Sequence, residues 1–380
     1  MASPFTASAR AVFFRLRAEG PATRPQLCKL LGLSKPTMSL AIAELEDAGY
    51  VEKIGMTQGE LGRKANMYRL GSGAGHVFAI DAGSTNIRIE VCTLDGRILH
   101  KESYPLGASH RHLNAVMADR IRQTVLTTRE LGDAGWGPLR SIGIAVPSRV
   151  HPDPARQSAD PSLCHLLSKL VNIVDVPVSI ENNVNCAAVA EQKYGAARQH
   201  DNFIYLQIGV KIGMGLVLGG RLIRGLRGGA GEISEMPFPL MPGMQVQPEA
   251  LENYISTDAW LDRVVADWPR ELARPANSVE VLQFANDGIV CAQRRVKLHA
   301  EDIARIAAAC ISVVDPDVVV LGGGLGGNPT LRPYLEEAMS ELKFPTPIAT
   351  SLLGADATLR GISLVATSRA EKLLVDPAPE

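Results

Sequence analysis

Aromatic residues make up only 5% of this 380-residue chain, and its six cysteines include no Cys-x-x-Cys or Cys-x-Cys pair. Cys28, Cys92, Cys164, Cys186, Cys291 and Cys310 are scattered, which argues against a disulfide framework or a zinc site and predicts buried free thiols. Few aromatics beside 35 glycines favour α/β packing over a β-sandwich. No apolar run is long enough to span a bilayer, and Arg10, Arg15 and Arg17 break up the opening segment where a signal peptide would lie. The expected location is the cytoplasm, with no membrane partner.

A net charge of −1 hides an asymmetry. Residues 1–72 hold ten Lys/Arg against six Asp/Glu, whereas the remainder holds 29 against 34. A small basic head on an acidic body points toward nucleic acid at the head.

That head reads as three short helices. Thr6 to Ala18 carries Val12 and Leu16 one turn apart, and Gly20-Pro21 ends it. Pro25 opens a second helix with an apolar stripe of Leu27, Leu30 and Leu31, stopped by Gly32. Ser34 is a good N-cap for a third, with Met38, Ala41, Ile42 and Leu45 as its buried stripe. Helix, tight turn and polar-started helix match a DNA-reading helix-turn-helix. Lys35, Thr37 and Ser39 lie where side chains reach base edges or phosphates. Tyr50 to Lys53 and Met67 to Leu70 read as two strands of a wing. Gly59, Gly62, Arg63 and Lys64 form its basic tip, suited to a phosphate track or minor groove. The competing reading of residues 1–72 is a dimerisation module with a hairpin.

The body, residues 73–380, opens on a buried strand, Val77 to Asp81, and a small-residue turn, Ala82 to Thr85. The next strand alternates Ile87, Ile89 and Val91. Strand, small turn, strand is the phosphate-binding hairpin of the actin, hexokinase and Hsp70 class, in which bare backbone N–H groups approach phosphate. A second hairpin spans Phe203 to Leu218 around Gly213 and Gly215, and a late strand runs into Gly322-Gly323-Gly324. Two hairpin-led halves predict a duplicated actin/hexokinase-like (ribonuclease H-like) α/β body behind the winged helix-turn-helix. Its lobes would cover roughly residues 73–185 with a C-terminal return segment, and residues 186–355.

The segments AIDAGSTNIRIEVCTLDGRIL, IGIAVP, VSIENNVNCAAVAE, GLVLGGRLIRGLRGGAGEI, ALENYIS and DPDVVVLGGGL occur in this order. Together they resemble the ROK family (repressor, open reading frame, kinase), and the head resembles that of its regulator branch. Where the family's sugar kinases carry an Asn-Asp pair whose Asp is the general base, this chain has Asn182-Asn183. An amide cannot take that proton at neutral pH. The second phosphate loop reads Gly209-Val210-Lys211-Ile212-Gly213 in place of roughly GTGIG, and Asn86 replaces a customary Lys in the first loop. The family's zinc motif is absent as well. Glu235 stands where a His is expected, and Met236 to Ala250 holds no Cys or His. No metal, cofactor or catalytic residue is therefore expected, and the chain is not expected to be an enzyme.

The resemblance places Asn182, Glu232 and Glu252 at positions that hydrogen-bond sugar hydroxyls, with Asn183 and Glu235 altered beside them. The plainer alternative makes Glu232 a helix cap and Glu252 a surface acid. Lys211 is either an exposed loop lysine or a cation filling the vacated phosphate pocket. So acidic a pocket favours a neutral or amine-bearing ligand over a phosphorylated sugar, unless Lys211 or Arg149 reaches in to offset it. The implied protein is a homodimeric repressor that reads a near-palindromic double-stranded operator and answers to a sugar or sugar-like effector. A sugar kinase with an added head and a regulator controlled by a protein partner are the alternatives.

Overall fold

The structure is a computed structural model that describes residues 5–58, 64–107, 110, 112–132, 134–157, 160–237 and 247–375. The chain divides into two compact units. The first comprises Met1–Val146, Asp160–Glu181 and Ile362–Glu380, and the second Pro147–Ala159 and Asn182–Gly361.

The first unit begins with α1 (Ala7–Glu19), β1 (Ala22–Thr23), α2 (Arg24–Leu31), α3 (Lys35–Asp47) and the hairpin of β2 (Val51–Gln58) and β3 (Lys64–Leu70). Each helix starts where a side chain satisfies orphan amides. The Thr6 hydroxyl accepts from the Ala9 N–H, Thr23 and Gln26 form a reciprocal capping box, and the Ser34 hydroxyl accepts from the Thr37 N–H. Val12, Leu16, Leu27, Met38, Ile42 and Leu45 fill the core beneath them. Leu30 departs from the expected stripe, being 52% exposed. The eight-residue α2 packs on α1, α3 and β3, burying Leu27 fully and Leu31 in part, and Leu30 projects beyond those contacts.

A five-stranded sheet follows in the same unit, built from β4 (His76–Ala82), β5 (Asn86–Thr93), β6 (Ile98–Pro105), β7 (Leu139–Val146) and β8 (Val178–Asn182). Its spatial order is β6-β5-β4-β7-β8, with β4 antiparallel to β5 and parallel to β7. The helices α4 (Ala115–Leu131), α5 (Pro154–Gln157) and α6 (Pro161–Leu170) interrupt the strands in sequence, α5 falling in the second unit.

The second unit continues with α7 (Asn183–Tyr194), β9 (Phe203–Ile208), β10 (Ile212–Leu218) and β11 (Arg221–Leu222). Four helices come next: α8 (Glu252–Ile255), α9 (Thr257–Ala266), α10 (Ser278–Asn286) and α11 (Val290–Val314). They lead into β12 (Val318–Gly322), α12 (Gly323–Gly326), α13 (Arg332–Glu341) and β13 (Ile348–Thr350). The sheet order is β11-β10-β9-β12-β13, with β9 antiparallel to β10 and parallel to β12. In each sheet the first strand is central, its hairpin partners lie to one side and the later strands to the other. That equivalence is the duplicated α/β architecture the sequence implies. A last helix, α14 (Ala357–Val375), starts in the second unit and from Ile362 onward belongs to the first.

The head is not hung on a loose tether. Its apolar cluster continues through Val77, Cys92 and Leu94 of the first sheet into Ala366 and Ala370 of α14. Arg17 pairs with Glu371 across the same boundary. Arg140 donates to the carbonyls of Gly73 (2.9 Å) and Ala74 (3.1 Å) and to the Tyr50 hydroxyl (3.2 Å). The connecting segment is tightly packed: a Cβ on Gly75, whose φ is +88°, would meet the Pro138 carbonyl oxygen at 2.3 Å.

The expectation of six buried thiols is corrected in part. Cys92, Cys186 and Cys310 are buried, Cys28 and Cys291 are half-buried, and Cys164 is exposed. Leu163, Leu166 and Leu170 form the inward stripe of α6, and Cys164 lies one residue off it.

In the second unit, the far end of α7 is anchored by one carboxylate. Glu191 is wholly buried and accepts from the Ala196 N–H (2.7 Å), the Ser351 hydroxyl (2.5 Å), and the N–H groups of Leu352 (3.4 Å) and Leu353 (3.1 Å). It stitches the helix that begins at Asn183 to the turn after β13. Replacing Glu191 by Leu strands these donors and should destabilise the protein by about 3 kcal/mol in urea unfolding. Glu191→Gln keeps one carbonyl acceptor and should cost less.

Candidate functional site

Three groups of residues are candidates, two in the first unit and one in the second. In the head, Lys35 and Ser39 are exposed on α3, and Thr37 is half-buried with its hydroxyl 2.8 Å from that of Ser34. Thr37 thus shares the capping of the helix it would read with. Lys64 is exposed at the start of β3, whereas Gly59, Gly62 and Arg63 lie outside the described residues. The structure adds Leu40, which sequence reasoning passed over. It stands 73% exposed directly after Ser39, and Met56 on β2 is 71% exposed. An unburied Leu on a helix-turn-helix reading face suits contact with a thymine methyl group. The signal was present in the sequence, since Leu40 falls outside the Met38, Ala41, Ile42, Leu45 stripe.

In the first sheet, the hairpin turn between β4 and β5 is held from the side. The Leu106 N–H donates to the Thr85 carbonyl (2.9 Å) and the His110 N–H to the Ser84 carbonyl (2.7 Å). Asp81, the acid ending β4, is buried and receives Arg88 through Nε (3.1 Å) and Nη2 (2.5 Å). Burial pushes its carboxyl above the usual carboxylate range, and the Arg88 guanidinium pulls it back. The Asn86 amide donates to the Thr85 hydroxyl (2.9 Å). An acid engaged by an arginine is poorly disposed to hold a cation beside a phosphate.

In the second unit, Asn182 is the N-cap of α7. Its Oδ1 accepts from the Val184 N–H (2.8 Å) and the Asn185 N–H (3.2 Å), and its Nδ2 donates to the Ser148 carbonyl (3.1 Å). Both ends of the amide hold backbone partners, so Asn182 fixes the Ser148-Arg149 turn against the start of α7. Asn183 follows as the first helical residue, half-buried, its carbonyl accepting from the Thr358 hydroxyl (3.3 Å).

Glu232 sits in a bend set by Gly231, whose φ is +87° and whose absent Cβ would lie 2.0 Å from the Met214 carbonyl oxygen. Glu232 is half-buried, and its side chain caps no helix, which removes the plainer reading of that residue. Glu252 is only 2% exposed and is no surface acid. Glu235 is exposed and accepts from the Glu249 N–H (3.2 Å). The Leu251 N–H donates to the Ser234 carbonyl (3.2 Å), tying α8 to the Glu232 to Glu235 turn.

The cluster is electrostatically mixed. Burial raises the Glu232 carboxyl above its usual range, Arg149 and Lys211 pull it down, and Glu235 and Glu252 push it up. Arg149 and Lys211 thus both act on the Glu232 carboxyl, the exception that the sequence leaves open. Lys211 is half-buried, in a turn where the Gly209 N–H donates to the Lys211 carbonyl (3.1 Å). Among the described residues, no three His, Cys, Asp or Glu side chains converge as metal ligands.

Comparison with known proteins matches residues 77–368 to the ROK family and residues 5–55 to the MarR family. The xylose repressor of Bacillus subtilis is 30% identical over 223 residues, which cover 57% of this chain and 56% of that protein. The chain thus spans little more than half of that relative. The xylose repressor of Caldicellulosiruptor bescii is 25% identical over 320 residues, covering 79% of this chain and 78% of its own length. Among solved structures, a ROK family transcriptional regulator, a homologue of the Escherichia coli MLC protein, superposes with a TM-score of 0.73 at 21% identity. That superposition covers 97% of this chain and 96% of the other, and it establishes the shared fold. No described helix is long and apolar enough to cross a membrane. With its kinase-like body matched over residues 77–368 and a MarR-type winged helix in front, the chain belongs to the ROK family.

Proposed function

We propose that this protein is a DNA-binding transcriptional repressor whose ROK body binds a sugar without phosphorylating it. The observation that carries the reading is the head. A winged helix-turn-helix with Lys35, Ser39 and Leu40 turned to solvent shares one apolar core with the first sheet of the body. Two such heads, related by the two-fold axis of a homodimer, would read a near-palindromic operator. Relatives named xylose repressors support the same assignment.

Asn182, Asn183, Glu232, Glu235 and Glu252 form the effector site in this reading, and Arg149 and Lys211 join them. Asn182 positions the turn, and the acids accept from vicinal hydroxyls. Three carboxylates facing two cations leave the site with one net negative charge, which favours a neutral or amine-bearing sugar over a phosphorylated form. The test of the whole assignment is operator retention of the full-length protein with and without a panel of neutral aldoses. Loss or gain of operator affinity with one sugar is expected. An unchanged affinity across the panel would leave control to a protein partner.

Within the head, Lys64 and the neighbouring Arg63 supply charge, and Thr37 and Ser39 supply selectivity. Replacing Arg63 and Lys64 by Ala should weaken binding to operator and unrelated DNA alike and lower the salt slope by roughly 1–2. Thr37→Ala or Ser39→Ala should change operator preference at constant salt slope. Gel-shift titrations across salt concentrations separate the two.

For the effector, calorimetry with matched neutral, amino and phosphorylated sugars should rank the phosphorylated compound last. Since the Glu232 carboxyl sits above the usual carboxylate range, its acceptor form is lost as pH falls through that raised value. Affinity should therefore decline on acidification earlier than an exposed glutamate would dictate, and Glu232→Gln should abolish that decline.

The chain should show no sugar-dependent ADP release with Mg-ATP, and Asn183→Asp alone should not create it. A restored base contributes about 10²–10⁴-fold, but phosphoryl transfer rests on positioning and charge neutralisation around the phosphates. Asn86, Val210 and Lys211 have changed both phosphate hairpins, and Asp81 is held by Arg88. Sugar-dependent turnover by the wild-type protein would replace this reading with a kinase bearing a DNA-binding head.

A further inference from the structure

A pocket of ≈ 400 Å³ opens in the second unit beside α8, α9 and α11, separate from the Glu232 cluster in its lining. That volume lies within the usual range of small-molecule sites, about 300–1,000 Å³. His299, from the middle of α11, lines it. The imidazole is 1% exposed and stacks on Trp260, with ring centroids 4.6 Å apart and planes 18° apart. Neither ring nitrogen has a hydrogen-bond partner among the described residues. Burial, reinforced by the charge of Arg263, lowers its pKa to about 3, so at neutral pH the ring offers one donor and one acceptor, both unmade. Folded proteins seldom leave such groups unpaired.

The charges around the pocket are unequally spent. Arg295 pairs with Asp267 (2.7 Å), and Arg305 with Asp302 (2.9 Å) and Glu301 (3.4 Å). Asp302 also accepts from the Tyr254 hydroxyl (2.8 Å). Arg263 instead lies over the Tyr254 ring at 3.7 Å and hydrogen-bonds the Tyr254 side chain, and among the described residues it forms no ion pair with a carboxylate. Val264, Leu298 and Trp260 supply apolar wall beside it.

We infer that this pocket is a second small-molecule site, one that takes a small organic carboxylate with its anionic end on Arg263 and the His299 N–H and its apolar body against Trp260. A guanidinium whose charge has no carboxylate partner, and which keeps N–H donors beyond the one that meets Tyr254, is the group that binds a carboxylate best. The site also has a physical route to the effector cluster. Glu252 and Tyr254 share α8, and the Thr257 N–H that opens α9 donates to the Gly209 carbonyl (2.9 Å) in the turn that carries Lys211.

Calorimetry on the full-length protein, with benzoate, benzamide and inorganic phosphate as probes, tests the assignment. Benzoate should saturate one site per chain, and uncharged benzamide should bind at least about tenfold more weakly. Arg263→Gln should weaken benzoate by at least about tenfold, whereas Arg270→Gln, an exposed arginine outside the pocket, should leave it unchanged. Location is read from fluorescence. Trp136→Phe with Trp268→Phe leaves Trp260 as the sole indole, and benzoate should change its emission. Should that double variant fail to fold, the Arg263→Gln and Arg270→Gln titrations still decide. No saturable benzoate binding, equal binding of benzamide, phosphate binding as tightly as benzoate, or indifference to Arg263→Gln would each overturn the proposal.

Discussion

The junction between the head and the first sheet is the constraint on which the rest of this architecture depends. Chains joined by glycine-rich segments are ordinarily flexible, because nothing holds the backbone. Here Gly71-Ser72-Gly73-Ala74-Gly75 is packed too closely for side chains at its glycines, and Arg140 grips the carbonyls of Gly73 and Ala74. Apolar contact from Leu16 and Phe13 through Val77 and Leu94 to Ala366 and Ala370 makes the head part of the first unit's core. Bistable packed units respond to ligands by moving as rigid bodies more readily than by continuous deformation. A head fused in this way turns wherever its unit turns, which suits a protein whose proposed output is the spacing of two DNA-reading helices.

In the proposed effector cluster, a few local hydrogen bonds and one glycine place every acid. Asn182 uses its amide to cap α7 and to hold the Ser148 carbonyl, so the turn bearing Arg149 is placed by the same residue that starts the helix. Gly231 permits the bend that presents Glu232, and a hydrogen bond from Leu251 to Ser234 brings α8 and its buried Glu252 onto that bend. Arg149 and Lys211 on one side, and Glu235 and Glu252 on the other, then act on the Glu232 carboxyl. Fold likeness would not reveal this balance, because it depends on individual side chains and not on the backbone they stand on.

Much of this was legible from residue order alone. Caps at Thr6, Thr23 and Ser34, the inward stripe of α3 and both hairpins follow from periodicities and turn chemistry that act over a few residues. Leu30 was misread for the same reason: a stripe says which residues share a face, and not how much of that face finds a partner. Cys164 fails likewise, one residue off the inward line of α6.

Residue order alone carried the three helices of the head, the duplicated design, the family, and the identities of the acids and amides at the candidate site. Local propensity and ordered motifs encode these, and neither needs a distance. Only the tertiary structure decided that Asp81 is held by Arg88, that Glu252 is buried, and that Arg149 and Lys211 act on Glu232. It alone placed His299 unpartnered against Trp260, across residues nearly forty positions apart in the chain. Burial and electrostatic fields are properties of groups brought together by the fold, so they exist only once the chain has closed on itself.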